Sequence, residues 1–189
     1  MPRQQAPLSL EYILLGFLEQ KPIHGYDLYK QITEFDAVSL VWRIKQSQLY
    51  ALLDRLEEEG LISSHIIPGE TRPNRKQFQI TSVGHQTFLA WRKSPVHHSR
   101  DIRIEFLAKV HFALLDDPTD VLDLIDDQKE TCLEWQTGFQ NDLMNTSEDQ
   151  VYERIVFDYR IHQTQGTLDW LESTRKEIGK LINKTTRSK

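Results

Sequence analysis

Ser47, Gln48, Tyr50 and Ala51 stand at the start of a stretch whose leucines, Leu49, Leu52, Leu53 and Leu56, fall on one arc of a helix. The polar start of such a helix is equipped for hydrogen bonding to a flat polar edge. The Gln48 amide carries a donor and an acceptor side by side, the pairing that matches adenine. Ser47 and Tyr50 add hydroxyls for phosphate or base, and the amides of a helix N-terminus favour an anion. Lys45 lies just ahead of this stretch and Arg55 flanks its exposed side. A second group, Arg72, Arg75 and Lys76, surrounds a turn-rich segment and offers salt-dependent contacts to a phosphate backbone. Plainer roles compete with these. Tyr50 also fits as a half-buried helix aromatic, and charges on an exposed hairpin discourage edge pairing whether or not they meet a ligand.

Other chemistry finds little footing. There is no phosphate-cradling glycine loop, no HExxH helix and no nucleophile elbow, so no catalytic residue is expected. His24, beside Gly25 at a helix start, reads as structural, and the pair His97-His98 reads as solvated linker. Neither brings the further ligands a metal requires, and no metal or cofactor is expected. The acids between Asp116 and Asp127 lack the alternating ligands and central glycine of a calcium loop, and read as a helix surface. Cys132 is the only cysteine, which excludes an intrachain disulfide.

The net charge of -5 argues weakly against nucleic acid, but its distribution is uneven. From Thr71 to Arg103 the bases Arg72, Arg75, Lys76, Arg92, Lys93, Arg100 and Arg103 face the single acid Asp101. From Asp116 to Asp158 acids dominate, and Lys129 and Arg154 are the only bases. Any contact with phosphates is thereby placed in the N-terminal half. The 189 residues suffice for one large or two small domains, and 39% hydrophobic with 27% charged residues is a globular composition. No apolar run approaches the roughly 20 residues of a membrane span, so a cytoplasmic location is expected.

The elements that must position these residues follow from period and punctuation. Leu10, Ile13, Leu14, Phe17 and Leu18 predict a helix stopped by Lys21-Pro22, and His24 to Glu34 predicts a second, a helix-turn-helix arrangement. Asp36 to Lys45 reads as a connection. Gln46 to Glu59 is a helix closed by Gly60, and Leu61 to Ile67 with Lys76 to Thr81 predicts a β-hairpin with a basic tip. Another helix runs from Thr81 to about Lys93, where Ser94-Pro95 marks a boundary. Beyond it come helices over Ile102 to Leu115, Thr119 to Met144, and Ser147, as N-cap, to about Asn183. The last carries Val151, Ile155, Tyr159, His162, Leu168, Leu171 and Ile178. Long helices with narrow apolar stripes call for a partner, and a second copy is the simplest.

Three blocks in this order, His24-Gly25-Tyr26-Asp27-Leu28, Ser47-Gln48-Leu49-Tyr50 with Arg55-Leu56-Glu57-Glu58-Glu59-Gly60-Leu61-Ile62, and Arg75-Lys76-Gln77-Phe78-Gln79-Ile80-Thr81, resemble the PadR family of winged-helix transcriptional regulators. Ser47-Gln48 departs from the Gly-Thr or Gly-Ser that often precedes the Leu-Tyr pair in that family. The resemblance implies a mainly α fold with a small β-hairpin wing. Residues 1–94 would form a winged helix-turn-helix DNA-binding domain, and 95–189 a long-helix dimerisation and effector-sensing domain. It further implies a homodimeric repressor on a pseudo-palindromic duplex, relieved by a small-molecule, often aromatic, effector or by a stress signal. Phe88, Trp91, Phe106 and Trp135 are its candidate pocket walls, with plain core packing as the competing role. The alternative function is a winged-helix module that binds protein and not specific DNA.

Overall fold

A computed structural model describes residues 10–68 and 75–187, without the side chains of Phe35 and of 185–187. The chain divides into two compact units, one of residues 1–92 and 103–112, the other of 93–102 and 113–189.

The first unit opens with α1 (Tyr12–Gln20), β1 (Ile23–His24) and α2 (Gly25–Lys30), whose last turn widens into a π-helical turn over Gln31–Phe35. A 3-10 turn, Ala37–Leu40, leads to α3 (Gln46–Glu58), β2 (Ile62–Ile67), β3 (Arg75–Ile80) and α4 (Ser82–Lys93). The expected hairpin is present, but its sheet has three antiparallel strands in the order β1-β3-β2, because Ile23 and His24 pair with Phe78 and Gln77. The predicted second helix accordingly begins at Gly25.

Burial in α1 exceeds one face: every residue from Ile13 to Leu18 is buried. The reason lies far along the chain in α5 (Glu105–Asp116). Phe112 packs edge-on against Phe17 and Phe88 at centroid distances of 5.5 and 5.3 Å, and an ideal Cβ on Gly16 would fall 2.6 Å from its ring. A helix covered on both sides is apolar all round. α3 ends as its sequence demands: Gly60 takes a φ of 69°, and the Leu61 amide returns to the Leu56 carbonyl at 2.9 Å.

In the second unit α6 (Pro118–Asn145) starts with Asp117 capping the Thr119 amide at 2.8 Å, and α7 is Val151–Arg187. Ser147 does not cap α7. It lies in the preceding turn, where its hydroxyl bonds to the Asp149 carboxylate. The ion pairs Asp126–Arg175 (2.8 Å) and Lys129–Glu172 (2.7 Å) and the Gln136–Gln165 hydrogen bond (3.0 Å) run in opposite senses along the two helices, which are therefore antiparallel. The α7 positions Phe157, Ile161, Thr164, Leu168 and Leu171 are buried or half-buried at alternating steps of four and three, and Ile178 follows one heptad on, the spacing of helices that coil left-handedly. Val151, Ile155 and Tyr159, which the sequence joined to this stripe, are exposed.

Gln128, fully buried on α6, brackets the backbone of one residue of the preceding segment: its Oε1 accepts from the Val96 amide at 2.7 Å and its Nε2 donates to the Val96 carbonyl at 3.1 Å. Replacing Gln128 with methionine keeps the volume but deprives two buried backbone groups of partners. Loss of about 3 kcal/mol is expected in chemical denaturation, and a loss under about 1 kcal/mol would show that the segment rearranges at little cost.

Candidate nucleic-acid interface

At the start of α3, Lys45, Ser47, Gln48 and Ala51 are exposed, while Leu49, Leu53 and Leu56 are fully buried in the core of the first unit. The same helical period that buries the leucines turns this polar end outward. The Gln48 Oε1 accepts from the Lys45 amide at 3.1 Å and so caps its own helix. The Gln48 oxygen keeps a second lone pair and its amide group two donors, and release of this exposed bond, where pairing with adenine turns the side chain away, costs about 0.5–1.5 kcal/mol.

Tyr50 holds a packing position. An ideal Cβ on Gly25 would lie 2.7 Å from its Cε1 and 2.9 Å from its hydroxyl oxygen. Gly25 and Tyr50 are therefore one feature: the missing side chain at the head of α2 makes room for the ring that seats α3. Arg55 is likewise engaged within the unit, donating from Nη1 to Glu11 at 2.7 Å, with Glu11 itself 7% exposed. This pair ties α3 to the head of α1.

On the hairpin, Arg75 and Lys76 are both exposed residues, and strand alternation turns them to opposite faces. Lys76 Nζ lies 2.7 Å from Glu57 Oε2, 3.7 Å from Asp54 Oδ1 and 5.0 Å from the Phe78 ring centroid. The other Glu57 oxygen accepts from Ser64 Oγ at 2.5 Å. The hydrogen bonds from Lys76 and Ser64 hold the Glu57 carboxyl below the usual carboxylate range. Arg72 lies outside the described residues. Arg43, exposed two residues ahead of Lys45, adds a cation that the reading of the connecting segment passed over.

The N-terminal unit matches a family described as "Transcriptional regulator PadR-like family" over residues 14–90, and residues 102–179 match "Virulence activator alpha C-term". Residues 14–90 of this chain are thus a PadR-like domain. It is similar to the negative transcriptional regulator PadR of Bacillus subtilis, 26% identical over 182 residues that cover 90% of this chain and 98% of the relative. Among solved structures it is similar to Bacillus subtilis PadR in complex with operator DNA, with TM-score 0.43 and 24% identity over 89% of this chain and 98% of that one. It is also similar to a Streptococcus mutans protein, with TM-score 0.44 and 22% identity over 88% and 98%.

The four candidate pocket walls have different surroundings. Phe88 and Trp91 are buried in the core of the first unit, where their rings lie 5.9 Å apart. Phe106, also in that unit, is fully buried. Trp135 lies in the second unit and lines a cavity of about 440 Å³ with Phe139, Tyr159, Arg160, Gln163 and residues 97–100. His97 and His98 are thus part of a pocket wall, and no group of three or more candidate metal-binding side chains occurs among the described residues. Proximity of the linker to α6 and α7 was the signal needed to find this cavity, and only the tertiary fold supplies it.

Proposed function

We propose that this PadR-like regulator acts in the cytoplasm as a homodimeric repressor, without catalytic activity, placing the start of α3 from each protomer in successive major grooves of a pseudo-palindromic duplex. The observation that carries this reading is the exposed start of α3, with polar Ser47 and Gln48 and small Ala51, mounted on the fully buried Leu49, Leu53 and Leu56. A major groove about 12 Å wide admits such a helix. Lys45 and Arg75 are assigned to neighbouring phosphates, and Arg72 retains the phosphate role its place in the sequence implies. The first unit carries DNA binding and the second dimerisation. Support for dimerisation comes from the exposed apolar row Val151, Ile155 and Tyr159 on α7, 59–62% accessible in the single chain. No described helix is long and apolar enough to cross a membrane.

Relief of repression is assigned to a small aromatic effector, and the cavity beside Trp135 supports it by combining three aromatic rings with Arg160. Selection of bound duplexes from a random pool tests the reading. A two-fold motif with half-sites about one turn apart is expected, and no enrichment would favour the protein-binding alternative. On the selected duplex, Arg75→Ala is expected to weaken binding and to flatten the salt dependence of log K by about two for a dimer that loses one phosphate contact per protomer. An unchanged slope would remove Arg75 from the contact.

A further inference from the structure

We infer that Lys76 acts in DNA binding as a positioning residue, clamping the wing to the recognition helix through Glu57, and is not itself a phosphate ligand. The inference rests on the proposed DNA-binding function and assigns a role inside it.

Glu57 occupies the last turn of α3 and reaches both strands of the hairpin at once, one oxygen accepting from Ser64 on β2 at 2.5 Å and the other from Lys76 on β3 at 2.7 Å. Register makes this geometry available. Ser64 lies opposite Phe78, Lys76 is two residues before Phe78 on the same face of β3, and that face meets α3. Asp54, one helical turn before Glu57, adds a second carboxylate 3.7 Å from the ammonium. The cluster of one lysine and two acids has a net charge of −1 and so contributes no attraction for phosphate. Binding a phosphate through Lys76 would require displacing a charge-assisted bond already made. Arg75, on the other face, is under no such constraint from Asp54 or Glu57. The wing and the helix must meet DNA as one body for both to contact it, and the Glu57 carboxylate fixes the angle between them.

The test uses the full-length protein, with the duplex recovered from the random pool as probe. Lys76→Met and Glu57→Gln are each expected to weaken binding about tenfold with the salt slope of the parent protein, and to speed amide hydrogen exchange in 62–67 and 75–80 at least fivefold without DNA. The double exchange Glu57→Lys with Lys76→Glu should restore most of the affinity. Glu57→Gln is the sharpest variant, because removing a carboxylate near DNA ordinarily tightens binding. The clamp is overturned if Glu57→Gln binds more tightly, or if Lys76→Met flattens the slope as Arg75→Ala does. Where no duplex is enriched, the DNA reading fails by itself, and hydrogen exchange decides the clamp alone: unchanged exchange in both variants overturns it.

Discussion

Replacing Gly84 with alanine is expected to lower the melting temperature by roughly 6–12 °C, from a destabilisation of about 3 kcal/mol. An ideal Cβ at Gly84 would fall 1.9 Å from the Leu61 carbonyl oxygen and 2.9 Å from Ile80 Cγ1. That carbonyl has no freedom to withdraw. It accepts from the Thr81 amide at 3.0 Å, and the Thr81 hydroxyl, whose one proton is shared between this oxygen at 3.1 Å and the Gly60 carbonyl at 2.8 Å, caps α4 by accepting from the Gly84 amide at 3.0 Å. Adding one methyl group must therefore move α4 off the end of the wing or break the turn that joins them. Gly138, on α6, supplies the control, because nothing lies within 4 Å of its would-be Cβ. There alanine should raise stability by up to about 1 kcal/mol through helix propensity. Equal melting temperatures for the two variants would contradict the packing described at Gly84.

A fragment ending at Lys93 is expected to be unfolded, and one ending at Asp116 to fold as a winged helix-turn-helix. The shorter fragment has every element of the hairpin and α4, yet it lacks Ala108 and Phe112, which are 0% and 4% exposed within the core. It also lacks Glu105, whose Oε1 accepts from Trp91 Nε1 at 2.9 Å. Loss of a buried phenylalanine alone costs about 3–5 kcal/mol, comparable with the lower end of the 5–15 kcal/mol that stabilises a typical domain. Circular dichroism on heating separates the outcomes: a cooperative transition in the shorter fragment would show α5 to be dispensable. The longer fragment is the one suited to testing dimerisation. Light scattering should find it monomeric and the full chain dimeric, and a dimeric fragment would remove the α7 row from the interface.

What was legible in the sequence is what short-range patterns determine. α3 could be read because its leucines keep helical period for more than three turns and Gly60 closes it. The hairpin could be read because alternation around Phe78 and Ile80 flanks a cluster of turn residues. β1 could not, since Ile23 and His24 are too few to show a period and become a strand only by pairing with β3. The apolar pattern of α7 superposes two rows, one packed against α6 and one exposed, and periodicity alone adds them together. At the site, the polarity of Ser47 and Gln48 against the leucines revealed the outward end of α3. The engagement of Arg55 with Glu11 and of Lys76 with Glu57 depends on contacts 44 and 19 residues apart in sequence, which no local pattern encodes. Gly25 and Tyr50 were both noticed, but their common purpose appears only where the ring covers the glycine.

The return of the chain to its first unit at residues 103–112 also sets the order of events during synthesis. Helices 1 to 4 and the wing leave the ribosome with Gly16 uncovered and the site of Phe112 vacant. Compaction of the N-terminal unit must wait until α5 has emerged, by which time Val96 has also emerged but Gln128, its later partner, has not. The nascent protein thus completes its winged unit about twenty residues after the last residue of that unit's own strands and helix has been translated.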